Sequence, residues 1–258
     1  MLPIISILGY KDSGKTRLIS QICAKLIDKG FKILPVKHIP HKDFTINNTD
    51  KDTSKLRKYC RYSAYFAESL EFGLIISNFN RDELFETLLK IYNTLQLDLI
   101  ILEGFSKYVL KNDKIIKIVC VKNIEDIEDF YGEGIHIFCS FNIKSSTILK
   151  LPEDINILIN FIERFISIFK IFNRLPKLDC GKCGLSCWKM AEKIFRGEAR
   201  LEDCHNLSNV EIYVDGRSIK LNRFVQNIVR NVMYGILKSL KDVPDIYSEV
   251  FVRIRELS

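Results

Sequence analysis

Short apolar runs alternate with longer amphipathic stretches over the first 140 residues. The runs consist mainly of Ile, Leu and Val at consecutive positions, and they fall at residues 4–8, 32–36, 73–77, 97–102, 115–121 and 135–139. Strands covered by helices on both faces have this composition. Between and after the runs the pattern predicts helices at residues 15–29, 54–70, 81–96 and 154–172. The alternation therefore predicts an α/β fold with a mainly parallel sheet and helices on both faces.

The helical pattern stops at residues 174–177, where Pro176 interrupts it. Beyond this point the sequence predicts a smaller α+β region, with a hairpin turning at Asp215 and Gly216, a helix at residues 223–240 and an edge strand at residues 249–255. We therefore expect two domains, residues 1–173 and residues 174–258.

The formal net charge of the 258 residues is +7, from 39 basic and 32 acidic side chains. The basic residues are scattered, which favours a small anionic ligand over nucleic acid. The first residues lack the features of an export signal, and four polar residues interrupt the apolar stretch 155–172: Asn160, Glu163, Arg164 and Lys170. We therefore expect a cytoplasmic protein that does not cross a membrane. In that reducing compartment its eight cysteines indicate metal ligation or burial rather than disulfides.

A complete G-x-x-x-x-G-K-T motif follows the first apolar run and precedes the first predicted helix. Its glycines let the backbone wrap closely, so that N–H groups and the helix N-terminus face phosphates. Lys15 supplies a positive charge to the β- and γ-phosphates, and the Thr16 hydroxyl is placed to bind Mg²⁺. The motif predicts a P-loop nucleotide site formed by Gly9, Tyr10, Lys11, Asp12, Ser13, Gly14, Lys15, Thr16 and Arg17.

A carboxylate on a neighbouring strand is needed to orient the hydrated metal, and two acidic residues flank the run at 97–102. Ligands of open α/β sheets bind beyond the carboxyl ends of the strands. Asp98 precedes Glu103 by about 16 Å of extended chain. We therefore expect Glu103 to face Mg²⁺ and Asp98 to be a structural residue at the start of the strand.

The loop after the second predicted strand contains two of the four histidines together with lysine and aspartate. It also follows the carboxyl end of a strand, so it should face the γ-phosphate. Asp43 is a candidate to reach Mg²⁺ through water, and the candidates to contact substrate phosphates are Lys37, His38 and His41. The alternative is that all four are ordinary polar loop residues.

Four segments together resemble the molybdopterin-guanine dinucleotide biosynthesis protein B family. They are the phosphate motif at residues 9–16, the K-H-x-x-H-x-D-F loop at 37–44, the stretch 50–54 and the D-x-x-x-x-E-G-F segment at 98–105. Their order and spacing agree with the family across residues 3–140. One departure is that Thr49 and Asp50 stand where the family has Pro-Gly before a Lys-Asp-Ser stretch.

The resemblance implies a GTP-binding protein that assists the attachment of GMP to a molybdenum or tungsten pterin, usually as a homodimer. The implied partners are molybdopterin or its guanine dinucleotide, a nucleotidyltransferase, and molybdo- or tungsto-enzyme apo-proteins. Residues 121–126 lack the N-K-x-D guanine signature of other GTPases, so the sequence motifs leave the choice between GTP and ATP open. No general base is identifiable. Hydrolysis of GTP is therefore expected to be slow or activated by a partner.

Near the C-terminus four cysteines are spaced C-x2-C-x3-C-x16-C: Cys180, Cys183, Cys187 and Cys204. Four thiolates this close in a cytosolic chain indicate a metal site. The segment resembles a small iron–sulfur domain with a C-G-x-C-G motif and a following helix, although the second gap there is typically one residue longer.

A 4Fe-4S cluster is favoured over structural zinc, because zinc more often uses two separated C-x2-C pairs. A module without a metal is the third alternative. His205 is expected to be a bystander. The remaining cysteines are expected to be core or surface thiols: Cys23, Cys60, Cys120 and Cys139.

Three functions are compatible with this combination of motifs. The leading hypothesis is a GTP-binding, slowly hydrolysing accessory protein of metal-pterin maturation that carries an iron–sulfur domain. The alternative is an ATP-dependent, nucleotide-gated electron-transfer protein, but such reductases have a second lysine in the phosphate loop at the position that Tyr10 occupies here. A third possibility is a scaffold that binds the pterin without needing hydrolysis.

Overall fold

The computed structural model describes residues 2–39, 61–67, 71–77, 79–134, 136–207, 210–219, 221–241, 243 and 250–252. The chain divides into two compact units, Met1–Ile166 (the N-terminal unit) and Ser167–Ser258 (the C-terminal unit). The strands are β1 Ile4–Leu8, β2 Ile33–Lys37, β3 Tyr62–Ala67, β4 Glu71–Ile76, β5 Leu99–Glu103, β6 Ile116–Cys120, β7 His136–Ser140, β8 Ile148–Lys150, β9 Ile212–Val214 and β10 Arg217–Ile219.

Seven α-helices lie among the described residues, and two of them are single turns. They are α1 Lys15–Ile27, α2 Leu84–Leu95, α3 Ser106–Val109, α4 Asp126–Asp129, α5 Ile155–Arg174, α6 Cys187–Phe195 and α7 Arg223–Ser239. Two 3-10 turns, Arg81–Glu83 and Leu201–Asp203, complete the regular structure of this part of the chain. No helix among the described residues is both long enough and apolar enough to span a membrane.

The N-terminal unit is built on a six-stranded sheet with the order β2-β5-β1-β6-β7-β8, in which every neighbouring pair is parallel. The register pairs Ile7 and Lys37 with the same residue, Glu103 at the end of β5. The central strands therefore end at one edge, and side chains that follow them meet there. This arrangement confirms the predicted α/β fold.

Apolar side chains cover both faces of this sheet. On one face Ile4, Ile100 and Leu102 pack in a buried cluster with Leu88 of α2 and Val109 of α3. On the other face α1 lies against β1, β2 and β5. It buries Leu18, Ile22 and Leu26. Each fully buried Leu or Ile side chain stabilises the fold by about 1.5–3 kcal/mol, so this double cover holds the strand ends in place.

The prediction of a helix at residues 54–70 is wrong for the part that the structure describes, because β3 covers residues 62–67. Residues 54–60 lie outside the described residues. The predicted strand at 73–77 exists as β4, but it pairs antiparallel with β3 in a separate two-stranded sheet rather than joining the parallel sheet. Tyr65 lies opposite Gly73, with its ring 2.2 Å from where a glycine Cβ would be. This cross-strand packing overrides the weak local helical signal.

The C-terminal unit has its own apolar core. It contains residues from the second half of α5, from α6 and from the turn Leu201–Asp203, and its buried members include Phe169, Phe172, Cys187, Met190, Ala191 and Cys204. The predicted hairpin is confirmed, since β9 and β10 pair antiparallel around Asp215 and Gly216, which both have positive φ. The predicted helix at 223–240 is confirmed as α7, which Asn222 caps. Of the predicted edge strand, residues 250–252 are described, and they have no regular structure.

Candidate functional site

The phosphate motif forms a tight loop between β1 and α1. Gly9, Asp12 and Gly14 have φ of 135°, 60° and 94°, in the region where glycine is least strained. A Cβ on Gly9 would lie 2.3 Å from the carbonyl oxygen of Cys120. The loop therefore passes too close to β6 for any other residue at this position. Among the described residues, the buried hydroxyl of Ser13 has no hydrogen-bond partner, so a polar group inside the loop is available to a ligand.

The ammonium of Lys15 lies over this loop. Its Nζ donates to the carbonyl oxygen of Tyr10 at 2.5 Å. Partial burial lowers the pKa of Lys15, the Glu103 carboxylate opposes this effect, and the Lys37 ammonium adds to it. The side chain is therefore held by a neutral carbonyl, which an anionic phosphate oxygen would replace as a stronger, charge-assisted acceptor.

Tyr10 connects the phosphate loop to the segment that follows β6 through a hydrogen bond and a ring contact. Its hydroxyl donates to Asp129 Oδ2 at 2.6 Å, and its ring meets the edge of Phe130 with centroids 5.3 Å apart. The hydrogen bond to Asp129 raises the pKa of Tyr10. The reductases considered above have a lysine at this position, whereas here a phenol anchors the second residue of the loop. Lys11 and Asp12 are exposed at the loop tip.

Glu103 is the point where three elements converge. The Thr16 hydroxyl donates to Glu103 Oε1 at 2.7 Å, and Lys37 Nζ lies 3.2 Å from the same oxygen. Asp98 is at the opposite end of β5, where its Oδ2 accepts a hydrogen bond from the Lys32 backbone N–H at 2.9 Å. The structure thus brings Thr16, Lys37 and Glu103 together and keeps Asp98 away from them.

The loop after β2 is described as far as Ile39. The His38 backbone N–H donates to the carbonyl oxygen of Glu103 at 3.0 Å, and its ring lies 5.0 Å from the ring of Phe105 and 6.0 Å from that of Tyr108. His38 is therefore next to the site but engaged with aromatic rings. The other two candidates of this loop, His41 and Asp43, lie outside the described residues.

Phe141, which the sequence did not single out, closes the other side of the phosphate loop. A Cβ on Gly14 would lie 2.5 Å from its ring, and the Arg17 guanidinium carbon lies 4.4 Å from the ring centroid. Lys150 Nζ donates to the Phe141 carbonyl oxygen at 2.7 Å. The residue follows β7, and only the parallel register of the sheet places that strand end beside the loop.

The C-terminal unit contains the four-cysteine segment, here called the cysteine module (residues 180–204). Cys187 and Cys204 are buried, Cys183 is half-buried and Cys180 is exposed. Burial raises the pKa of Cys204, and the nearby Cys183 and Cys180 raise it further. Burial likewise raises the pKa of Cys187. Two of the four thiols therefore lie in the apolar core of the unit, while Cys180 is open to solvent.

Hydrogen bonds from neighbouring residues hold Cys180 and Cys187 of the module. Cys180 has a lowered pKa because its sulfur accepts from the Lys182 backbone N–H and from the Asn206 amide, whose Nδ2 lies 3.0 Å away. The Asp179 carboxylate accepts from the Cys187 backbone N–H at 2.6 Å. Ser186 caps α6 by accepting from Lys189 N at 3.3 Å. Asn206 and Asp179 are residues that the cysteine spacing alone does not reveal.

Within the described residues, no three His, Cys, Asp or Glu side chains are gathered so that they could hold a metal ion. Thiolates around a single zinc ion lie about 3.8 Å apart, because each zinc–sulfur bond is about 2.3 Å in tetrahedral geometry. Thiolates of a cluster bind separate irons and are more widely spread. Four thiols are a donor set for an iron–sulfur cluster and also for structural zinc, so the chemistry of these residues fits a cluster without excluding zinc.

Comparisons with known proteins give two matches to family models. Residues 4–131 match the family described as "MobB: Molybdopterin guanine dinucleotide synthesis protein B". Residues 175–205 match the family described as "Putative Fe-S cluster".

Two curated relatives have similar names. The chain is 28% identical over 240 residues to the "Putative molybdopterin-guanine dinucleotide biosynthesis adapter protein" of Methanocaldococcus jannaschii, with 93% of this chain and 92% of that protein aligned. It is 28% identical over 124 residues to the Escherichia coli adapter protein, covering 48% of this chain and 67% of that protein.

Solved structures of MobB proteins also align with part of the chain. Bacillus subtilis MobB is 19% identical, with a TM-score of 0.48, and the alignment covers 62% of this chain and 97% of that one. A homolog from Bacillus stearothermophilus is 22% identical, with a TM-score of 0.44, covering 63% and 99%. Residues 4–131 are therefore similar to the MobB family and residues 175–205 to the putative Fe-S cluster family, and the relative aligned over most of the chain is a putative molybdopterin-guanine dinucleotide biosynthesis adapter protein.

Proposed function

We propose that this chain is a GTP-binding adapter of molybdopterin-guanine dinucleotide biosynthesis, with Mg²⁺ as cofactor of the nucleotide and slow or partner-activated hydrolysis. The observation that carries the proposal is the contact between Thr16 Oγ1 and Glu103 Oε1 at 2.7 Å. A hydroxyl of the phosphate loop and a carboxylate at the end of a neighbouring strand are the two protein ligands that a phosphate-bound Mg²⁺ requires. Asp43 remains a third, water-mediated candidate.

The phosphate groups would lie along the loop backbone. Gly9 to Gly14 presents N–H groups at the N-terminus of α1, and Lys15 is close enough to exchange the Tyr10 carbonyl for a phosphate oxygen. Lys37 lies beside Glu103 and would contact a γ-phosphate. His38 and His41 would lie next to the same phosphate. The sequence offers no identifiable general base, which supports slow or partner-activated hydrolysis.

The cysteine module is proposed to hold a 4Fe-4S cluster through Cys180, Cys183, Cys187 and Cys204. When bound, the cluster would supply a one-electron redox centre. Cys187 and Cys204 would anchor it in the apolar core, and Cys180 would be the ligand nearest to solvent. The partners proposed for the whole chain are molybdopterin or its guanine dinucleotide, the nucleotidyltransferase and the molybdo- or tungsto-enzyme apo-proteins, with the chain as a homodimer.

Calorimetric titration of GTP and ATP with Mg²⁺ into anaerobically purified full-length protein tests the proposal. We expect GTP to bind more tightly than ATP. Lys15→Ala should weaken binding about 100-fold, because a charge-assisted hydrogen bond of about 2.7 kcal/mol is lost. The matched control is Lys11→Ala, an exposed lysine of the same loop, which should change affinity by less than about threefold. A clear preference for ATP would instead favour the nucleotide-gated electron-transfer protein.

A further inference from the structure

Asn206 lies at the point where the two ends of the cysteine module meet. Its side-chain Nδ2 lies 3.0 Å from the sulfur of Cys180, which is 26 residues earlier in the chain. Asn206 also follows Cys204, the last cysteine of the module, by two residues. This hydrogen bond therefore links the first cysteine of the module to the segment that carries the last one.

The burial of Asn206 makes this contact specific. The residue is 3% exposed, so its amide N–H groups are removed from water and need a partner inside the protein. An asparagine on the surface can replace a protein hydrogen-bond partner with water, whereas a buried amide is held in one orientation by the atoms packed around it. The partner that the structure gives it is Cys180, the most exposed of the four cysteines.

An N–H donor to a ligating sulfur stabilises the form of a cluster that carries more negative charge. The reduced cluster has one electron more than the oxidised cluster, so the hydrogen bond is stronger in the reduced state and raises the reduction potential. The Lys182 backbone N–H acts on the same sulfur, but the Asn206 amide is the donor that substitution can remove.

We propose that Asn206 is a positioning residue of the cluster, which donates a hydrogen bond to the Cys180 thiolate, fixes this exposed ligand, and raises the reduction potential. The inference rests on the proposed function in one respect, namely that the four cysteines hold an iron–sulfur cluster. It adds a residue that is not itself a ligand and assigns the direction of its effect.

The test is a potentiometric titration of the anaerobically reconstituted full chain, followed by visible and EPR spectra. Asn206→Ala removes the donor, and we expect the ratio of reduced to oxidised cluster at a fixed ambient potential to fall about tenfold, equivalent to about 59 mV for one electron. Asn206→Asp keeps the shape and replaces the donor by an anion, so its midpoint should fall further. Iron content should be unchanged in both variants.

The matched control is Asn227→Ala, an exposed asparagine on α7 in the same unit, which should leave the midpoint unchanged. A wild-type midpoint in a fully iron-loaded N206A or N206D protein would overturn the role of Asn206 while leaving the cluster in place. Wild-type protein that takes up no iron would reject the cluster and, with it, this inference. If N206A does not fold, the isosteric N206D protein decides by the same midpoint.

Discussion

The phosphate loop and the cysteine module are held in different ways. In the loop the glycines are pressed against their surroundings, with Gly9 against the Cys120 carbonyl and Gly14 against the Phe141 ring. In the module, a Cβ on any of the three glycines, Gly181, Gly184 or Gly197, would meet no atom within 4 Å. The loop is shaped by the sheet before any ligand binds, whereas the module has open space around its backbone. We infer that the first site is built by the fold and that the second depends more on its ligand.

Removal of the proposed cluster should have the largest effect, and that effect should be confined to the C-terminal unit. Chelation of iron, or Cys187→Ser, should destabilise the C-terminal unit by several kcal/mol, because metal binding in small domains contributes on the order of 10 kcal/mol to folding. Trp188 is the single tryptophan of the chain and packs against Phe172, so its fluorescence reports on this unit alone.

Nucleotide binding by the N-terminal unit should survive the same treatment. Cys23→Ser, a half-buried thiol of α1, is the control for loss of a cysteine as such. An unchanged Trp188 unfolding midpoint after complete removal of iron would show that the module is shaped by its protein core instead.

Replacement of Gly9 by alanine tests whether close packing against β6 determines the conformation of the phosphate loop. Gly9→Ala should lower the free energy of unfolding of the N-terminal unit by about 3 kcal/mol, from overlap with the Cys120 carbonyl added to the strain of positive φ. Gly30→Ala is the matched control, since Gly30 has φ of 84° with open space around it. It isolates the backbone strain of about 1–2 kcal/mol. Urea denaturation that gives equal losses for the two variants would contradict the close approach to β6.

Substitution of Lys117 tests how a buried charge contributes to the stability of the sheet away from the phosphate loop. It is fully buried in β6, and its ammonium donates to the carbonyl oxygens of Asn112 and Glu133. Lys117→Met should lower the free energy of unfolding by about 2 kcal/mol at pH 7, because two carbonyls lose their donor. Exposed Lys114 gives the control variant, Lys114→Met, with a change below about 0.5 kcal/mol.

The same lysine predicts a pH dependence. Burial lowers the pKa of Lys117, so the unfolded chain binds this proton more tightly than the folded chain. Stability of the wild type should therefore rise as pH increases from the lowered folded pKa towards the ordinary value of about 10.4, and the Lys117→Met variant should lack this rise. Parallel unfolding curves of the two proteins across pH 7 to 10 would contradict the buried charge.

The smallest expected effect concerns the metal side of the phosphate site. Glu103→Gln keeps a hydrogen-bond acceptor for Thr16 but removes the negative charge, so about tenfold more Mg²⁺ should be needed for the same nucleotide affinity. Asp98→Asn, at the other end of β5, should leave the Mg²⁺ requirement unchanged. Titration of Mg²⁺ at fixed GTP measures both, and equal behaviour of the two variants would remove Glu103 from the proposed metal site.

The sequence alone determined the elements that depend on local pattern. The apolar runs of β1, β5 and β6, the phosphate motif with its flanking strand and helix, and the turn at Asp215 and Gly216 are all fixed by residue type and spacing. The choice of Glu103 over Asp98 as the residue nearer the loop also followed from the sequence, because strand length alone separates the two carboxylates.

The tertiary structure decided what depends on distant partners. Residues 62–67 became β3 because β4 pairs with them and Tyr65 covers Gly73, neither of which a local pattern shows. Phe141 reached the phosphate loop through the order of the strands, and Asn206 reached Cys180 through the packing of the C-terminal unit. Local propensities act over a few residues, whereas the energy of these contacts comes from residues brought together by folding, so the sequence read in short windows does not reveal them.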